Sequence, residues 1–170
     1  NSYALDSYGE INIWDVSLIT DMSDLFKDKH TFNDDISNWD VSNVTNMSNM
    51  FYWCWEFNQD ISSWDVSSLT NMEQMFRGAS KFNQDLITWD VSNVTNMIST
   101  FKQAWRFDGN ISTWDVSSVT SMHGMFQNDG NWSGAFTGDI SSWDVSNVTD
   151  MGWMFCSQRH FNQDISSWDV

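Results

Sequence analysis

Seven aspartates recur at one position of this sequence: Asp15, Asp40, Asp65, Asp90, Asp115, Asp144 and Asp169, each inside a Trp-Asp-Val triplet. Carboxylates repeated in this way, if stacked, can hold divalent cations or meet a cationic or hydrogen-bonding partner. Calcium is the natural cation, since it takes about 6–8 oxygens from carboxylates, carbonyls and water. At about 5 Å apart, neighbouring carboxylates repel by roughly 0.8 kcal/mol in water and about 3 kcal/mol at an effective dielectric of about 20. Neither flanking column holds Lys or Arg; one is serine, from Ser17 to Ser146, and the other runs from Ile13 through Asn38 to Ser167. Hydrogen bonds, raised pKa values or bound cations must therefore offset the repulsion. Two readings stand: Asp15, Asp40, Asp65, Asp90, Asp115 and Asp144 ligate Ca2+, or they accept bonds from nearby serines.

A second acidic column, Asp35, Asp60, Asp85, Asp139 and Asp164, precedes each Ile or Leu and follows the asparagines Asn33, Asn58, Asn83 and Asn162. Asx turns between a return segment and the next strand account for it best. All seven basic residues, among them Lys27, Arg77, Lys102 and Arg159, fall in a different stretch, shared with aromatics outside the repeat pattern. These are Tyr52, Trp53, Trp55, Trp105, Trp132 and Trp153. Trp53, Trp55, Trp105 and Trp132 are candidate ligand-binding residues together with Asp40, Asp65, Asp90, Asp115 and Asp144, because exposed aromatics mark binding faces. The alternative is that they fill space against an adjacent coil. A Gly-, Asn- and Asp-rich bulge at 127–135 adds Asp129 and Asn131 as local candidates.

What must position these columns is a 25-residue period. The triplets begin at Trp14, Trp39, Trp64, Trp89, Trp114, Trp143 and Trp168, with spacings of 25, 25, 25, 25, 29 and 25. Such a period marks a solenoid whose units bury their apolar faces against one another. In the unit from Ile61, the Trp64-x-Val66 alternation reads as a short strand with Asp65 outward. The three-residue steps Leu69, Met72, Met75 read as a 3₁₀ or short α-turn. The Met22-to-Met151, Phe26-to-Phe155 and Phe32-to-Phe161 slots are expected core, and the Thr20-to-Thr149 slot a buried hydroxyl ladder. Recognition of ice or mineral would need that threonine array exposed. Cys54 and Cys156 lie four coils apart, beyond the roughly 7 Å Cα limit of a disulfide, and are expected to be free.

The I-x-x-W-x-V-x-x-V-x-x-M-x-x-M-F frame resembles a leucine-rich repeat. More closely, W-D-V-S-N-V-T-N-M with F-N-Q-D-I-S resembles the BspA-like repeats of bacterial surface proteins, in a tryptophan-rich form, from Glu10 to Val170. The resemblance implies an α/β solenoid, leucine-rich-repeat-like, with parallel short strands and one short helical or 3₁₀ turn per coil. It also implies a cell-surface or extracellular setting and an adhesive or partner-binding role. Trp where Leu is usual is a departure. The chain is expected to be one repeat domain over 1–170, with a lead-in at 1–10 and about six and a half coils, excised from a larger protein.

With 23 acidic against 7 basic residues and a net charge of −16, the surface repels nucleic acid and anionic membranes. No apolar run is long enough to insert into a bilayer. Twelve Trp and 12 Phe exclude a disordered chain. His30, His123 and His160 occupy unequal phases with no recurring nucleophile, and no nucleotide or zinc motif occurs, so no enzyme is expected. The expected function is a non-catalytic, calcium-associated adhesion module binding a protein or glycan, with a cation-bridged homodimer as one form. A purely structural spacer is the alternative.

Overall fold

Parallel pairing falls on one residue per coil, in the segment between Val and Met. A computed structural model describes residues 9–129 and 134–170, and in it Asp21, Asn46, Asn71, Asn96, Ser121 and Asp150 bridge in series. Pairing was expected at Trp-x-Val; it lies instead at the Thr-Asn step. Trp64 and Val66 do face inward with Asp65 outward, but the segment carries no bridge of its own.

The stretch after each Met shows why the coils adhere. Met72, Gln74, Phe76 and Gly78 donate their N–H groups to the carbonyls of Asn96, Ile98, Thr100 and Lys102 in the following coil, at 2.8 to 3.0 Å. The residues between them close turns within their own coil: Met75 to Met72, Arg77 to Gln74 and Ala79 to Phe76. A helix would keep all of these donors within the segment. Here every second donor faces along the stack, and the chain becomes a ribbon of turns. Among the described residues the one helix is the 3₁₀ turn Ile11–Ile13 in the lead-in.

Two slots of the turn ribbon hold residues with left-handed φ, the second of them in every ribbon except the one from Met122. One slot holds Asp24, Asn49, Gln74, Ser99, Gly124 and Trp153; the other holds Asp28, Trp53, Gly78, Gln103 and Ser157. The non-glycine members lie between 54° and 62°. With the i to i+3 bond they make type II turns, which require positive φ at their third residue.

The core is aromatic and layered. Within a coil Phe51 stacks on Phe57 at 3.9 Å; between coils Phe51 meets Phe76 at 5.5 Å and Phe57 meets Phe82 at 5.7 Å. Trp64, Trp89 and Trp114 stack 6.4 Å apart. Each indole also reaches back one coil: Trp64 Nε1 donates to Ile36 O, Trp89 to Ile61 O and Trp114 to Leu86 O. Leucine in this slot would pack but could not make that bond. The Met, Phe and Ile slots are buried in the interior coils and half-buried in the last coil.

The Thr slot departs from expectation. Thr45, Thr70, Thr95 and Thr120 are exposed. In Val44-Thr45-Asn46-Met47 the flanking Val and Met turn inward, so Thr turns out. Its hydroxyl still links coils, donating from Thr70 to Thr45 O at 3.0 Å and from Thr120 to Thr95 O at 3.1 Å.

Candidate functional site

In the triplets from Trp39 to Val145 the Asp faces solvent, because the indole and valine on either side are held in the core. Asp40, Asp65, Asp90, Asp115 and Asp144 are exposed in every case, and so is Asp15. The serine two residues on fixes the carboxylate. Ser42 donates its N–H and Oγ–H to Asp40 Oδ1 at 3.1 and 2.6 Å. Ser92 does the same for Asp90 and Ser146 for Asp144. One oxygen of each carboxylate is thus occupied, and the serine bonds leave Oδ2 untouched.

Those bonds decide the electrostatics. The Ser17 hydroxyl and then its N–H hold the Asp15 carboxyl below its ordinary range, and serines 42, 67, 117 and 146 act alike on Asp40, Asp65, Asp115 and Asp144. Asp15 and Asp65 push Asp40 upward, as stacked like charges should, but this is the smaller effect. Hydrogen bonding therefore supplies the offset for which calcium was one candidate. Among the described residues no group of three or more His, Cys, Asp or Glu side chains is placed to hold a metal ion.

The second acidic column forms the expected Asx turns. Asp35, Asp60, Asp139 and Asp164 accept the N–H of the serine two residues on, at 2.9 to 3.0 Å. Asp85, followed by Leu86-Ile87, has no such serine and accepts the N–H of Asn110 from the next coil. Beside them runs a ladder the sequence reading missed: Asn58 N–H to Asn33 Oδ1, Asn83 N–H to Asn58 Oδ1 and Asp108 N–H to Asn83 Oδ1. The recurring Phe-Asn pair was its signal.

The aromatic candidates divide. Trp53 is half-buried and occupies the space left by Gly78, its counterpart one coil on, where a Cβ would overlap the indole. It fills a gap. Trp55 is 45% exposed and stacks on His30 at 4.0 Å. Trp105 is half-buried. Asn131 and Trp132 lie outside the described residues; Asp129 is exposed and accepts from Gln103. Trp153, an extra aromatic not counted among the candidate ligand-binding residues, is 65% exposed. Basic side chains are engaged locally: Lys27 pairs with Asp24 at 2.9 Å, Lys81 pairs with Glu56, and Arg77 lies over Tyr52.

Both cysteines are free, and burial pushes the Cys54 thiol up to about 12. No helix among the described residues is long and apolar enough to cross a membrane. No match was found among curated proteins or among solved structures. One family profile matches at residues 2–108 and again at 84–170, the two overlapping by one coil and together spanning nearly the whole sequence. A chain that repeats one tryptophan-rich coil is what such a double match describes, and this chain belongs to the family described as Mycoplasma protein of unknown function, DUF285.

Proposed function

We propose that this chain is a non-catalytic adhesion module of a bacterial surface or secreted protein, built as a leucine-rich-repeat-like solenoid of the BspA-like kind. It binds a protein or glycan through its Asp/Ser face. The observation that carries this reading is the row Asp40, Asp65, Asp90, Asp115 and Asp144. Each is exposed and, where a shift is resolved, held in its ionised form by serine. A row of fixed, exposed carboxylates costs little further ordering on binding, which is the advantage of preorganisation. Its sign selects a partner with cationic or hydrogen-bond-donating groups. Calcium would join such a contact by adding partner oxygens to the free Oδ2 atoms rather than by occupying a cage of this chain's own.

The test is a variant carrying Asp65→Asn, Asp90→Asn and Asp115→Asn, which keeps the oxygen that serine uses and removes three charges. Binding to host-cell surfaces and to a glycan array, with calcium and with chelator, is expected to fall at least tenfold while the melting temperature holds. Equal binding by variant and parent would overturn the Asp face as the site. Failure of the parent to bind any protein, glycan or cation would favour a structural spacer. The exposed Thr45, Thr70, Thr95 and Thr120 ladder favours a second reading, contact with a regular surface such as ice or mineral. Freezing-point hysteresis, present or absent, decides it.

A further inference from the structure

Across four successive coils one slot holds His30, Trp55, Ser80 and Trp105. Where two neighbouring coils both supply a ring, the rings stack: Trp55 lies on His30 at 4.0 Å with 9° between the planes. This platform is fixed from beneath. His30 Nδ1–H donates to Trp53 O at 2.8 Å, and the Trp55 N–H goes to the same carbonyl at 3.0 Å. In the next coil the ring is missing. Ser80 turns its hydroxyl back to Trp55 O at 3.2 Å, so its short side chain does not take the place of a ring. Trp55 stacks on no second ring among the described residues and is 45% exposed. Trp105 stands in the same slot one coil further on, half-buried, its carbonyl accepting the Ala135 N–H at 3.1 Å.

The dimensions of the vacancy select its occupant. Paired strands lie about 4.8 Å apart, so residues two coils apart in one slot are separated by about 9–10 Å. A flat ring in contact with a wall on each side needs about 7–8 Å. A pyranose chair is thicker, because axial hydrogens stand above and below it, and it matches the larger space. Its C–H bonds carry partial positive charge, and the face of an indole is negative. A saccharide also needs a few polar groups at its edge to fix its orientation. The neighbouring slot supplies them in the same three coils: Glu56, Lys81 and Arg106. Glu56 and Lys81 pair with each other, and Arg106 is exposed.

We infer that Trp55 and Trp105 are the walls, and Ser80 the floor, of a site that takes one pyranose ring of a glycan. The inference does not rest on the Asp column, and its variants leave every aspartate in place. An aromatic side chain of a protein partner would stack on Trp55 as well. It would leave part of the space empty and the polar edge unused. Because His30 already holds the Trp55 indole, little side-chain freedom is lost when the sugar binds.

Saturation-transfer NMR tests this with free tetrasaccharides of glucose, galactose, mannose and N-acetylglucosamine, and with N-acetyltryptophanamide as the aromatic alternative. The parent chain is expected to bind at least one tetrasaccharide, with transfer strongest to the ring C–H protons. Trp55→Ala removes one wall, and Ser80→Trp supplies the missing ring. Each is expected to weaken that binding at least tenfold, whereas Trp55→Phe, which keeps a ring, retains most of it. Near-ultraviolet circular dichroism checks the fold of each variant, and the two losses arise from opposite changes, one emptying the site and one filling it. A parent that binds none of the tetrasaccharides overturns the inference. So does binding that Trp55→Ala and Ser80→Trp both retain, or a preference for N-acetyltryptophanamide over every sugar.

Discussion

At the scale of the residue, the left-handed positions are where this chain departs most from what side chains prefer. A non-glycine residue there costs about 1–2 kcal/mol, and Trp53, Gln74, Ser99, Gln103, Trp153 and Ser157 all accept it. The compensation is the turn itself, which turns every second N–H along the stack. Ser157→Gly relieves that cost, against the extra chain entropy that glycine loses on folding, and should stabilise the protein by about 0.5–1 kcal/mol in urea unfolding. Gly78→Ala should do the reverse. Its φ is +72° and the new Cβ would meet the Trp53 indole, so a loss of about 1–3 kcal/mol is expected. None of these positions stands out in the sequence, because Asp, Asn, Gln, Ser, Gly and Trp share one slot. Left-handed tolerance was legible only where Asp, Asn or Gly stands: Asp24, Asn49 and Gly124 in one slot, Asp28 and Gly78 in the other.

At the scale of the coil, tryptophan does two things that leucine cannot. It stacks on its counterparts and ties its N–H to the carbonyl of the preceding coil. Trp89→Phe keeps most of the stack and loses the bond to Ile61 O, for a cost of about 1–2 kcal/mol. Trp89→Ala also opens a cavity and should cost about 3–5 kcal/mol, read as a lower urea midpoint. Trp14→Ala should cost less, since Trp14 is 41% exposed at the first coil. The period, the inward Trp and Val and the outward Asp were legible in the spacing. The bridging residue was not: Trp-x-Val and Val-Thr-Asn-Met both alternate, and alternation alone does not say which segment lies close enough to its neighbour to pair. The expected helical turn is a ribbon of separate turns for a related reason. An i to i+3 bond gives the same three-residue step whether the next donor continues a helix or leaves for another coil.

At the scale of the whole molecule, the acidic columns make stability depend on pH. Serine hydroxyls and N–H groups lower the folded-state pKa of Asp15, Asp40, Asp65, Asp115 and Asp144 below the unfolded value. The unfolded chain therefore binds more protons as acid is added. The contribution is present above the unfolded carboxylate pKa, near about 3.9, and is lost as pH falls through the folded values. The urea midpoint should drop between about pH 5 and pH 2, and the Asp65→Asn, Asp90→Asn, Asp115→Asn variant should drop less. Composition, period and inward-outward alternation are properties of the sequence, because burial of a repeated apolar face depends only on which residues recur. Where hydrogen bonds leave one coil for the next is a property of the stack. Each N–H chooses between a carbonyl three residues back and one about 25 residues away, and the distant one exists only after the coils have met.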